Sequence, residues 1–366
     1  MMQPQPEMSL AASTASHRAH ARLAPSGAAG LLARLGITHA CRGQLFGALG
    51  TVGALHLLGW GLFAFYAAHT HNLAYAGAGA LAYTLGLRHA FDADHISAID
   101  DSARLLVQRG RRPVAIGLYF SLGHATVVLA LTVIVAVGAR SVESHIDALG
   151  RFGGVIGAGV SGLFLYIVAG LNLFVLLQLV RAARKGAALD AGPSGAVSML
   201  LGQRWLRFIR HEAQLYPVGF LFGLGFDTAS EIALLGLTTS AATRDGLPAG
   251  AILALPLIFA AGMTLLDTAD GFFMVRAYAW AQHDPARKLR YNLLTTALSV
   301  AVAFGVGTLE LAGVLSRELA WHGAWVDAVS SLNDRFEALG AVVVALFALL
   351  WLGAQLASRR SPEASV

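Results

Sequence analysis

Hydrophobic residues run along this chain in eight blocks, at 44–68, 73–99, 113–138, 153–180, 217–240, 250–280, 291–315 and 337–356. Each is close to the ~20 residues that a helix needs to cross a bilayer core. The pattern predicts an all-α, polytopic membrane protein with eight transmembrane helices. The block at 73–99 differs from the others because its second half, GLRHAFDADHISAIDD (86–101), is polar. Outside the blocks, residues 1–43 carry Pro4, Pro6 and Pro25 among small polar residues and read as a flexible tail, with a short interfacial helix over 31–42. No apolar segment followed by a cleavage site occurs there, so no signal peptide is expected. A single membrane domain is expected over 44–356, interrupted by its longest loop at 181–216, with a tail at 357–366. In that loop Leu201, Trp205 and Phe208 share one helical face and Arg204, Arg207 and Arg210 the other, the pattern of a helix lying on a lipid surface.

Composition sharpens this picture. The 366 residues are 56% hydrophobic and only 13% charged, against about 25% charged in soluble domains. No sizeable domain is left outside the membrane, so a nucleic-acid-binding role is not expected. Cys41 is the one cysteine, which excludes an intrachain disulfide framework and a cysteine-based metal cluster. Charge orients the chain: with both termini in the cytoplasm, 20 of the 26 Lys and Arg residues fall on the cytoplasmic side. Only Arg140, Arg151, Arg244, Arg317 and Arg335 fall outside, and Arg88 lies within a span.

Ionisable groups inside the spans are the candidate chemistry, since each costs roughly 2.5–3.5 kcal/mol at mid-membrane even on mild insertion scales. On a straight helix His89, Asp92 and His95 share one arc, while Asp94 points elsewhere and needs a second helix or a break in its own. Imidazole together with carboxylate suits Ni, Co, Zn or Cu better than Mg or Ca. His124, in FSLGHATVV (120–128), becomes a ligand candidate if it faces this cluster. Asp227 and Glu231 (i, i+4) and Asp267 and Asp270 (i, i+3) place like charges on single faces. Such pairs need a cation, a proton or Arg88 between them. Glu310 is expected at the membrane interface, and His56 is a lone polar group at mid-depth.

Four stretches taken together, RHAFDADHI (88–96), FSLGHATVV (120–128), LGFDTASE (224–231) and GMTLLDTADG (262–271), resemble the signatures of the nickel/cobalt transporter family, single-component permeases with eight spans. The family's H-x4-D-H motif maps onto His89, Asp94 and His95 without a gap, while Ala125 and Ser230 are conservative departures. The resemblance implies uptake of Ni²⁺, Co²⁺ or both across the bacterial cytoplasmic membrane, with no ATPase subunit and no bound cofactor. It implies a metal site of His89, Asp92, Asp94, His95 and His124, and a transport path along Arg88, Asp227, Glu231, Asp267 and Asp270. The 181–216 loop holds only His211, which favours import over export, because related exporters carry a His-rich loop.

FDADHI (91–96) also resembles FDTASEI (226–232), and FSLGH (120–124) resembles FAAGM (259–263). An offset of three spans suggests an inverted pseudo-repeat. The rival reading is an enzyme, a membrane acyltransferase in which His89 and Asp94 form an H-x4-D acid/base pair. Nothing in that chemistry calls for the carboxylate pairs of the fifth and sixth blocks.

Overall fold

The computed structural model describes residues 39–70, 72–142, 146–184, 209–225, 229–243, 246–281 and 285–360. Most of the expected interfacial helix over 200–210 and most of the one over 31–42 lie outside these residues, as does Asp227. Among the described residues the structure is entirely helical. The helices are α1 (His39–Thr70), α2 (Leu73–His89), α3 (Ala93–Gln108), α4 (Ile116–Val142), α5 (Ile146–Arg184), α6 (Leu215–Phe222), α7 (Ala229–Thr243), α8 (Ala249–Ala281), α9 (Pro285–Glu318), α10 (Ala324–Asn333) and α11 (Phe336–Arg360). A 3-10 turn, Glu212–Gln214, precedes α6. Six of these helices, α1, α4, α5, α8, α9 and α11, are long and apolar enough to cross a membrane.

The two remaining blocks are each occupied by a pair of shorter helices. The block at 73–99, read above as one span, stops at His89 and restarts at Ala93. Between them Asp92 is extended (φ −62°, ψ 138°) and occupies the N-cap of α3. Aspartate is a preferred cap, but Asp92 makes no capping hydrogen bond. The block at 217–240 is likewise divided between α6, which ends at Phe222, and α7, which begins at Ala229.

α3 is the most polar of these helices and also the most enclosed, buried from Ala93 through Val107 except at Asp94. It is walled in by α5, α8, α9 and α11. A helix so enclosed can carry charge at membrane depth because protein, not lipid, satisfies its side chains. Asp100 accepts from the Tyr278 hydroxyl and from Ser299 Oγ (2.7 Å). Asp101 Oδ1 accepts from Arg104 Nη2 (2.6 Å) and Asn172 Nδ2 (2.7 Å). Arg104, assigned by sequence to a cytoplasmic loop, is therefore a buried residue of α3 that lies over the Tyr278 ring, and Arg88 is not the one cation at depth. Glu310 is likewise corrected: it is buried, and Ser161 Oγ sits 2.9 and 2.8 Å from its two oxygens.

The packing around the two breaks is reciprocal. α8 lies along α2 and α3, and α4 lies along α6 and α7. A Cβ on Gly86 of α2 would come within 2.1 Å of Phe259 O on α8, and one on Gly219 of α6 within 1.9 Å of Phe120 O on α4. In return Gly262 of α8 abuts Tyr83 O and Leu87 N, and Gly123 of α4 abuts Tyr216 O and Phe220 N. Tyr83, Gly86 and Leu87 have the same spacing as Tyr216, Gly219 and Phe220, and Phe120 and Gly123 the same as Phe259 and Gly262. The two breaks thus exchange equivalent backbone contacts with α4 and α8. Finally, the first turn of α11 ties the two breaks together: Glu337 pairs with Arg88 at the end of α2 and accepts from Ser230 Oγ at the start of α7 (2.9 Å).

Candidate metal centre

The interruption of α2–α3 brings two histidines to the midpoint of the bundle. His89 is the last residue of α2, where unpaired carbonyls make the helix end favourable to cations. His95 sits in the first turn of α3, and His124 reaches the same point from α4. All three are buried. Their rings form a triangle with centroids 4.6 Å (His89–His95), 4.8 Å (His89–His124) and 4.8 Å (His95–His124) apart. One ligand atom from each lies within 4.8 Å of the others. His89 Nε2 and His124 Nε2 are 3.1 Å apart. Two nitrogens each ~2.0–2.1 Å from one ion, as in zinc sites, are ~3–3.4 Å from each other at ordinary ligand angles. The pair is spaced for a shared transition-metal ion.

Carboxylates surround the triangle. His89 Nδ1 lies 2.8 Å from Asp92 Oδ2, and the opposite ring nitrogen, Nε2, is the one that faces His124. The Nδ1 contact is why Asp92 does not cap its own helix. Glu231, from the first turn of α7, puts Oε1 2.7 Å from His124 Nε2 and 3.8 Å from His89 Nε2. Asp267 Oδ2 of α8 is 3.4 Å from His95 Nδ1. Among the described residues, neither nitrogen of His95 nor either oxygen of Asp267 has a hydrogen-bond partner, although both side chains are buried. Buried polar atoms are rarely left so, and a cation between them would satisfy both. Phe120 packs edge-on against His95, and Phe259 tilts over His89, sealing two sides. These are the two aromatic residues whose main-chain oxygens meet Gly219 and Gly86.

Asp94 accepts from the His95 main-chain N–H (2.9 Å) and also lines a separate cavity described below. Asp270 is one turn beyond Asp267 on α8, with one oxygen buried and without a hydrogen-bond partner among the described residues. Arg88 is half-exposed and pairs with Glu337. Thus the structure gathers His89, Asp92, His95, His124, Glu231 and Asp267 at one point and sets Asp94 and Arg88 to its side. His56 is engaged elsewhere: its Nδ1 donates to Val52 O (2.8 Å), so its Nε2 accepts from the Tyr83 hydroxyl (3.1 Å). The polar network of Asp100, Asp101 and Arg104 went unrecognised in the sequence, where the i, i+3 spacing of Asp101 and Arg104 was its one visible sign.

A polytopic helical bundle with imidazoles and carboxylates converging at two broken helices defines a class, the ion-translocating membrane proteins. Comparison with known proteins gives the family. A family model described as high-affinity nickel-transport protein (NicO) matches residues 75–357. The chain is 47% identical over 317 residues to the nickel transporter NicT of Mycobacterium tuberculosis, covering 81% of this chain and 84% of that one. It is 42% identical over 333 residues to the cobalt transport protein NhlF of Rhodococcus rhodochrous, covering 88% and 94%. It is 43% identical over 307 residues to the nickel transporter NixA of Staphylococcus aureus, covering 81% and 89%. No solved structure matches. The chain belongs to the family of high-affinity nickel-transport proteins, which are permeases rather than enzymes. Neither acyl transfer nor export is supported by these relatives.

Proposed function

We propose that this protein takes up Ni²⁺, Co²⁺ or both across the bacterial cytoplasmic membrane, as a single component without an ATPase partner, through the buried centre at the α2–α3 break. In this reading the chain crosses the membrane eight times, with six continuous helices and two broken ones, α2–α3 and α6–α7. Both termini are cytoplasmic, and the two broken helices belong to inverted repeats. The observation that carries the reading is the convergence of three buried histidines whose ligand atoms lie within 4.8 Å of one another.

His89, His95 and His124 are the proposed ligands. Asp92 and Asp94 are placed beside them, and Glu231, Asp267 and Asp270, with Asp227 and Arg88, line the path. An arriving ion must give up water, and the carboxylates offset that loss while the imidazoles select a borderline-soft ion over Mg²⁺. Asp92 stands behind the His89 imidazole, Glu231 stands at the same His124 nitrogen that faces the centre and so shares the ion with it, and Phe120 and Phe259 keep bulk water from the centre. An inward membrane potential supplies ~2.3 kcal/mol per charge per 100 mV, and about twice that for a divalent ion.

The experiment is ⁶³Ni²⁺ uptake by cells expressing the wild type and His89→Ala, repeated with excess Co²⁺, Zn²⁺ or Mg²⁺. Uptake that requires His89 and is blocked by Co²⁺ but not by Mg²⁺ is the expected result. Equal uptake by the two proteins at equal membrane abundance would remove the centre from the mechanism.

A further inference from the structure

Beside the histidine centre lies a second feature that the transport reading does not use. A cavity of about 370 Å³ opens where α9, α10 and α11 meet the α2–α3 break. Five carboxylates line it, Asp92, Asp94, Glu310, Asp334 and Glu337, against one guanidinium, Arg317. Asn333 stands in the same wall. Its Nδ2 donates to Leu309 O (3.3 Å), while its Oδ1 is buried with no hydrogen-bond partner among the described residues. α11 also packs tightly on the break, where a Cβ on Gly340 would lie 1.8 Å from Phe91 O. Asp92 belongs to both places, lining the cavity and standing 2.8 Å from His89 Nδ1.

Size separates the two sites. Six waters fill roughly 180 Å³ at ~30 Å³ each, so the cavity holds a divalent ion with its whole hydration shell. The triangle of imidazoles, with ligand atoms within 4.8 Å, holds only a bare ion. Carboxylates that meet a hydrated ion through its water act by charge and confer little choice of metal. Imidazoles that replace the water confer the choice.

We infer that this cavity is an antechamber that captures hydrated divalent cations before dehydration, with Glu310, Asp334 and Glu337 as capture residues and Asp92 as the point of transfer to His89. The inference rests on the transport reading above, in whose topology the α9–α10–α11 end faces outward. Five carboxylates against Arg317, and against Arg88 on Glu337, leave the cleft net negative; such a field raises association rates of cations, by roughly 10–10³ at most, and does so less as salt increases.

The test uses Asp334→Asn and Glu310→Gln together in the full-length protein. Asp334 is exposed, so its neutralisation leaves the fold intact, and Asp334→Lys alone serves as a second variant. The double variant should raise the KM for ⁶³Ni²⁺ uptake about tenfold with the maximal rate unchanged. It should also flatten the decline of low-concentration uptake with ionic strength, a change that a merely structural role would not produce. Asp334→Lys should raise KM further. An unchanged KM and an unchanged salt dependence, in cells whose wild type takes up nickel, would overturn the antechamber while leaving the transport reading intact. Loss of wild-type uptake would strike the transport reading instead. Equilibrium dialysis of ⁶³Ni²⁺ against purified His89→Ala protein at low ionic strength then decides the cavity. Residual binding that the double variant abolishes supports it, and no residual binding overturns it.

Discussion

Gly117 offers the sharpest test of how helix packing sets the metal centre. It sits in the first turn of α4, where that helix crosses α8 most closely, and a Cβ there would lie 1.8 Å from Asp267 O and 3.0 Å from Thr268 N. Ordinary contact begins at 3.4 Å, so Gly117→Ala requires the two backbones to part by about 1.6 Å, the difference between those distances. Neither obstacle is a flexible side-chain end, so no rotamer change relieves it. Overpacking of this kind costs about 1–3 kcal/mol. The displacement falls on Asp267, which faces His95, and on the helix that carries His124. Pulling α4 from α8 by such a distance takes donors out of reach of an ion that tolerates only a few tenths of an ångström. Gly117→Ala should therefore lower the melting temperature in detergent by several degrees and reduce ⁶³Ni²⁺ uptake at least tenfold at equal abundance. Gly53→Ala and Gly170→Ala, where a Cβ meets nothing within 4 Å, are the controls and should match the wild type. If Gly117→Ala also matches the wild type in both melting and uptake, the claim that close glycine contacts position the centre is wrong.

Two further outcomes follow from the same geometry. Imidazole binds metal only when neutral, so protons compete with the ion and acidification should never favour uptake; a steady rise of ⁶³Ni²⁺ uptake down to pH 5 would refute histidine ligation. Arg104→Met should destabilise the protein by about 3–5 kcal/mol by leaving Asp101 buried without its cation, read as a lower midpoint in thermal denaturation, and Asp101→Leu in the same chain should recover most of that loss; equal midpoints for the single and double variants would show that the pair does not hold α3 in place.

Much of the site could be read from residue types and spacing. Helical geometry put His89, Asp92 and His95 together and turned Asp94 aside, and the structure keeps that division although the helix breaks between them. A turn at Ala90–Asp92 preserves the proximity because Asp92 swings back to His89 instead of capping α3. The break in the 217–240 block was not drawn from the sequence, although the polar run DTASE (227–231) interrupts its hydropathy. Backbones pack closely there: a Cβ on Gly225 would lie 2.7 Å from Gly157 Cα, and one on Gly223 would lie 3.0 Å from His124 O. The run 86–101 already carried Asp100 and Asp101 to the interior or its margin, but hydropathy could not place Arg104 there, because it measures preference for lipid and α3 is enclosed by protein. Glu310 was misplaced for the same reason, its partner Ser161 being far away in the chain. α10 escaped notice because its ten residues include no continuous apolar run.

The reciprocal packing around the two breaks also has a consequence for biosynthesis. α6 is eight residues long, about 12 Å, less than half the ~30 Å thickness of a bilayer core. It cannot be retained in lipid on its own account. When it leaves the ribosome, however, α4 is already made, and the groove at Gly123 is open to receive it. α2 has no such advantage. Its partner α8 is synthesised only after three further long or broken segments, α4, α5 and α6–α7, have emerged, and until then the face around Gly86 has nothing to close upon. The half-helix that carries His89 thus waits for α8 although it is among the first to be translated, and a ribosome stalled before residue 249 would leave its Gly86 face open in the membrane.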